Sequence, residues 1–124
     1  STKVVGVVST EAPAYALSFA AKKVVATNSA NTMADGMAVR GPDPEALDII
    51  LKGADRIVQV SDAEVTAAMR SYYEDTHQLT EGAGAASLAA LMQERDRMKG
   101  RRIGLILSGG NIDREVYLRA LADA

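Results

Sequence analysis

No cysteine occurs in the 124 residues, which excludes disulfides and thiolate metal sites while leaving the compartment open. There is no tryptophan and one phenylalanine, so a core must be built from Ala, Val, Leu, Ile and Met. The single histidine, His77, has neither a second histidine nor a cysteine at ligand spacing and reads as an exposed or helix-end residue. No charge sign dominates: 14 Lys and Arg face 16 Asp and Glu, a net charge of −2, which argues against a nucleic-acid surface or a basic membrane-binding face. No apolar run approaches the roughly 20 residues that span a bilayer, and no signal peptide is visible, so the expectation is a soluble cytoplasmic domain.

Hydrophobic residues make up 48% of the chain, enough for one domain with a real core. Val4-Val5-Gly6-Val7-Val8 reads as a buried strand, followed by a helix from about Ala12 to Lys22 on an Ala12, Ala16, Phe19, Ala20 stripe. The run from Val24 to Gly41 lacks clear periodicity, and an irregular segment of that length is usually functional or disordered. Asp43-Pro44-Glu45 starts a helix with an N-cap, a proline at the first position and an acid in the first turn, its stripe being Leu47, Ile50, Leu51 and Ala54. Arg56 to Val60 is a short strand. Ser61-Asp62-Ala63-Glu64 is a capping box that opens a helix buried through Val65, Ala68, Met69 and Tyr72.

Glu81 to Leu91 carries no charge after Glu81 and fits a helix packed closely on both sides. Arg102-Ile103-Gly104-Leu105-Ile106-Leu107 reads as a buried parallel strand, and a final amphipathic helix uses Val116, Leu118 and Leu121. Strands alternating with helices predict a three-layer α/β domain with a mainly parallel sheet. A chain that opens on Ser1 and enters an apolar strand at once is expected to be a piece of something larger.

Three polar-glycine clusters fall where strands or irregular segments meet helices: Ala34-Asp35-Gly36, Glu81-Gly82-Ala83-Gly84 and Ser108-Gly109-Gly110-Asn111. The last follows the apolar run to Leu107, and ligands of open α/β sheets bind at that edge. Its glycines let backbone approach a flat or charged group, and Ser108 offers a hydroxyl there. Each cluster also has a purely structural reading. Asp35-Gly36 makes an ordinary turn, Glu81 an acid at a helix start, Gly82 and Gly84 close helix packing, and Asn111 or Asp113 an N-cap. Val8-Ser9-Thr10-Glu11-Ala12-Pro13 stands where a dinucleotide-binding glycine motif would follow the first strand, and neither a Walker motif nor a nucleophile elbow occurs.

Lys3-Val4-Val5-Gly6-Val7, Met33-Ala34-Asp35-Gly36, Asp55 to Ser61, Thr80-Glu81-Gly82-Ala83-Gly84-Ala85 and Leu107 to Asp113 together resemble the C-terminal part of the serine/threonine dehydratase family. These are pyridoxal-phosphate enzymes of the tryptophan-synthase-β fold, including threonine ammonia-lyase and serine racemase. The resemblance implies part of that fold's large domain over residues 1–124, with pyridoxal 5'-phosphate as cofactor. It implies that Ser108 meets the pyridine nitrogen, with Gly109 following it in the same loop, that the Gly36 backbone passes beside the ring, and that Glu81 is the acid near it. Asn111 matches a position that contacts nucleotide effectors in some relatives.

The Schiff-base lysine and the glycine-rich phosphate loop are absent, since both lie in the family's N-terminal half. Ser1-Thr2-Lys3 imitates the lysine motif only at its start, and Lys22, Lys23, Lys52 and Lys99 lack it altogether. No residue here is therefore expected to be catalytic. Val8 and Ala14 stand where racemase-like members place acidic metal ligands, so no metal is expected. The implied parent is a lyase that removes water and ammonia from a β-hydroxy amino acid such as threonine or serine. Its implied partners are the amino-acid substrate, the missing N-terminal half and a second copy in a dimer. A racemase of the same family and a non-catalytic α/β nucleotide- or phosphate-binding module are the alternatives.

Overall fold

The computed structural model describes residues 1–122. Val4–Ser9 form strand β1 and Ala54–Val60 form strand β2, which pair in parallel with Gly6 opposite Ile57 and Val7 opposite Val58. A parallel pair needs a crossover, and α1 (Ala14–Ala21), the irregular run and α2 (Pro44–Gly53) supply it. Alternation divides the strands between two faces. Val5, Val7, Val58 and Val60 face the core, whereas Val4, Gly6 and Ile57 line an apolar cleft of about 390 Å3 shared with Tyr15 of α1 and Ile49 and Ile50 of α2.

The second helical layer consists of α3 (Asp62–Ser71) and α4 (Gly82–Gln93), with α6 (Arg114–Ala122) packed on α3 and a short α5 (Arg95–Met98) after α4. Helix starts follow their sequence signals. Asp43 accepts the Ala46 N–H at 2.9 Å, and Ser61 and Glu64 make the reciprocal capping box. Val65, Ala68 and Met69 of α3 meet Ala85, Ala86, Ala89 and Ala90 of α4. Such small α4 residues allow close helix approach. A single π-turn, Tyr72–Thr76, extends α3 and ends at His77, which is exposed, has φ 57° and reaches the Tyr73 carbonyl through Nδ1.

Charge ties the layers at one corner. Arg56 on β2 donates to Asp55 and to both carboxylate oxygens of Glu94, and Glu94 also pairs with Arg97. The side-chain hydrogen bond from Arg56 holds the Glu94 carboxyl below its usual 4.5, against the opposing effect of burial. Lys3 pairs with Asp55 at the strand end, 3.4 Å away.

Several expectations are corrected. Arg102 to Leu107 is not a strand; Ile103 and Ile106 are exposed, Ile106 at 78%. An apolar run becomes a strand only against a neighbouring edge, and this one has no ladder partner among the described residues. The sheet there is accordingly the β1–β2 pair. For the same reason β1 is half-buried rather than buried, with Val4 exposed. In α1 the buried residues are Ala14 and Ser18, while Ala20 is exposed; Ser18 Oγ bridges the N–H and C=O of Val25, which anchors the irregular run. In α6 the core-facing residues are Tyr117 and Ala120, and Leu118 is exposed. That helix starts after Asp113, whose carbonyl accepts the Tyr117 N–H, so Asn111 does not cap it.

Candidate functional site

The first turn of α4 is where the polar-glycine clusters meet. From one side comes the irregular run, which closes into a 3-10 turn at Asp35–Met37. A Cβ on Gly36 would stand 2.9 Å from the Ala83 Cβ, and one on Gly82 would stand 2.9 Å from both the Ala34 Cα and the Met33 Sδ. From the other side comes the Ser108 loop. The Glu81 N–H donates to the Gly109 carbonyl at 3.1 Å, and a Cβ on Gly84 would stand 2.6 Å from Thr80 Oγ1 while overlapping the same carbonyl. Gly82 and Gly84 thus serve close packing.

The Glu81 side chain does not cap α4. It lies across the junction instead, with Oε1 2.7 Å from where a Gly109 Cβ would stand and 3.9 Å from where a Gly36 Cβ would stand. Gly36, Glu81 and Gly109 therefore share one small region. Glu81 and Gly109 are half-buried there, and Ser108 and Gly36 are exposed. Asn111 is exposed further along the loop, where Gly110 passes against Leu79: a Gly110 Cβ would stand 3.0 Å from the Leu79 carbonyl oxygen.

Two residues at this junction make contacts that the motifs containing them do not announce. Thr80 is fully buried and sends Oγ1 towards the Glu81 and Gly109 carbonyls, at 3.0 and 3.3 Å. Its sequence signal was its place just before Glu81. Asp62, at the start of α3, accepts from Thr32 Oγ1 and from the Met33 N–H. Nothing local announces a contact some 30 residues back along the chain.

The arrangement suits one face of a flat, polar group. Two glycines without side chains flank a carboxylate, and an exposed hydroxyl sits next in the loop. Among the described residues no group of three or more His, Cys, Asp or Glu is placed to hold a metal. The apolar cleft beside β1 is lined by aliphatic residues and Tyr15 and lies apart from this junction.

Comparison with known proteins gives a consistent result. The chain is 32% identical over 111 residues to an L-threonine ammonia-lyase of Thermotoga maritima, covering 90% of this chain and 27% of that protein. It is 32% identical to a serine racemase of Schizosaccharomyces pombe, covering 85% of this chain and 32% of that one. The crystal structure of a T.th. threonine deaminase superposes with a TM-score of 0.85 at 30% identity, over 90% of this chain and 41% of that one. The chain thus spans about a third of the length of the curated relatives it matches. Its α/β architecture matches part of the tryptophan-synthase-β-like fold. Residues 1–109 match the family described as pyridoxal-phosphate dependent enzyme, whose cofactor is pyridoxal 5'-phosphate, and the chain belongs to that family, on its serine/threonine dehydratase branch.

Proposed function

We propose that these 124 residues are the C-terminal portion of the large domain of a cytoplasmic ammonia-lyase, a threonine or serine dehydratase, and form the ring-facing wall of its cofactor site. The observation that carries this reading is the convergence of Gly36, Glu81 and Gly109 at the start of α4, with the exposed Ser108 next to Gly109 in the chain. Pyridoxal phosphate, when bound, supplies an electron-withdrawing ring conjugated to the amino acid's α-carbon. The missing side chains of Gly36 and Gly109 let Ala83 and Glu81 close up behind this wall, and in this reading Ser108 offers a neutral hydroxyl to the ring nitrogen. A neutral partner holds no proton on that nitrogen as a carboxylate does, which favours β-elimination over transamination. Asn111 faces a nucleotide effector in this reading, although it lies outside the matched residues.

The Schiff-base lysine and the phosphate cradle belong, in this reading, to sequence outside these residues, and the full-length protein works as a dimer on a small β-hydroxy amino acid. Reduction with borohydride in the presence of pyridoxal phosphate, followed by peptide mass spectrometry, tests it. The isolated chain is expected to take up no stoichiometric label, and the full-length protein one label outside residues 1–124. Stoichiometric labelling of a lysine here, together with turnover, would overturn it.

The racemase among the relatives favours a second reading. Chiral analysis of the product separates them: 2-oxo acid and ammonia mark the lyase, and an inverted amino acid marks the racemase. Absence of any cofactor uptake by the full-length protein would leave the non-catalytic module.

A further inference from the structure

We propose that Asp62 is a positioning residue that fixes the Thr32–Met37 segment, and through it the Gly36 backbone, against the first turn of α4. Asp62 opens α3, where an acid is ordinarily explained by the helix dipole. Its carboxylate instead reaches across to the irregular run: Oδ1 accepts from Thr32 Oγ1 at 2.5 Å and Oδ2 from the Met33 N–H at 2.9 Å. Thr32 Oγ1 in turn accepts the Ala34 N–H at 3.1 Å, and the Ala34 carbonyl accepts the Met37 N–H at 2.8 Å. A continuous chain of hydrogen bonds therefore runs from one carboxylate through the 3-10 turn that carries Gly36.

Asp62 itself stands on a fixed base. Its helix is pinned by the Ser61–Glu64 capping box, and Gln93 of α4 donates to Glu64 at 3.0 Å. The segment it holds presses Met33 and Ala34 against Gly82, so a displacement there moves Gly36 relative to Glu81. The role of this wall in cofactor binding rests on the function proposed above; the positioning of the segment does not.

Asp62→Ala, Asp62→Asn and Thr32→Val in the full-length protein test it. Two quantities are read: amide hydrogen exchange in peptides covering residues 32–37, and the dissociation constant for pyridoxal phosphate. Asp62→Ala and Thr32→Val are expected to speed exchange roughly tenfold and to weaken cofactor binding by a similar factor, with exchange in α4 unchanged. Asparagine keeps an acceptor for Met33 but can only donate to Thr32 Oγ1, where the carboxylate accepts from it, so Asp62→Asn is expected to fall between the parent and Asp62→Ala. A role confined to the helix dipole depends on charge and predicts that Asn and Ala act alike; that result overturns the proposal. Unchanged exchange in both Asp62→Ala and Thr32→Val also overturns it, whereas faster exchange with unaltered cofactor affinity upholds the positioning and counts against the proposed cofactor wall. Where Asp62→Ala does not fold, Thr32→Val reads the same link from the other side. If the parent binds no pyridoxal phosphate, the proposed function fails while the exchange data alone decide the Asp62 role.

Discussion

Gly84 and Gly109 meet backbone to backbone, so that any side-chain carbon on Gly84 would overlap the Gly109 carbonyl oxygen. The neighbouring Thr80 Oγ1 closes the other side at 2.6 Å, and both obstacles are held in place, one by the chain and one by burial.

Gly84→Ala is therefore expected to destabilise the protein by about 1–3 kcal/mol, the usual cost of overpacking, despite alanine's better helix propensity. Gly53→Ala is the control. That residue ends α2 with nothing within 4 Å of an added Cβ, and the change should stabilise by roughly 0.5–1 kcal/mol. Urea midpoints check both, and equal midpoints for the two variants would refute the packing argument.

Glu94→Gln removes the negative charge and one of the two oxygens that accept from Arg56. With both side chains largely buried, the loss is expected to be on the order of 1–2 kcal/mol near neutral pH. The folded-state carboxyl sits below its unfolded value of about 4.5, so the stabilisation is complete above that value and is lost as pH falls through the lower, folded one. The parent's stability should drop across that acidic window more steeply than the variant's. Parallel slopes in a pH series of thermal melts would refute it.

Tyr117 presents the opposite case. Its hydroxyl is buried with no hydrogen-bond partner among the described residues, and burial, with Tyr73 nearby, pushes the phenol's pKa up. Tyr117→Phe keeps the edge-on ring contact with Tyr73 at 6.5 Å and removes the stranded polar atom. A gain of about 1 kcal/mol is expected, and a loss on chemical denaturation would mean that the hydroxyl has a partner after all.

Ser108→Ala in the full-length protein is expected to leave the covalently held cofactor in place, because no lysine of the required motif lies in this chain. Turnover should fall by roughly 5- to 150-fold through loss of the proposed hydrogen bond to the ring nitrogen. Ser108→Asp should divert flux towards transamination or racemisation. Keto-acid and pyridoxamine-phosphate yields per folded, loaded molecule check this; unchanged kinetics in both variants would remove Ser108 from the site.

What was legible in the sequence is what local chemistry decides. The Asp43 cap, the Ser61–Glu64 box and the small-residue α4 follow from neighbours within a turn, and all are present. Arg102 to Leu107 looked equally clear, yet strand formation depends on a partner that the run itself cannot specify. Within α6, apolar content predicted Leu118 as buried, but the docking angle on α3 presents Tyr117 and Ala120 instead. At the site, the glycine clusters were visible as clusters. Their meeting at one helix turn, and the reach of Asp62 to Thr32, are tertiary facts that spacing does not encode.

The crowding of glycine and alanine where α4 begins also bears on motion. Interfaces lined by long side chains absorb small displacements by rotamer adjustment, but this one sets Gly82 on the Ala34 Cα and Gly84 on the Gly109 carbonyl, backbone contacts that no side-chain torsion relieves. A shift of the helix by a fraction of an ångström therefore drags the Gly36 turn and the Ser108 loop with it. The two loops are expected to move together, and a ligand that gripped either would stiffen both.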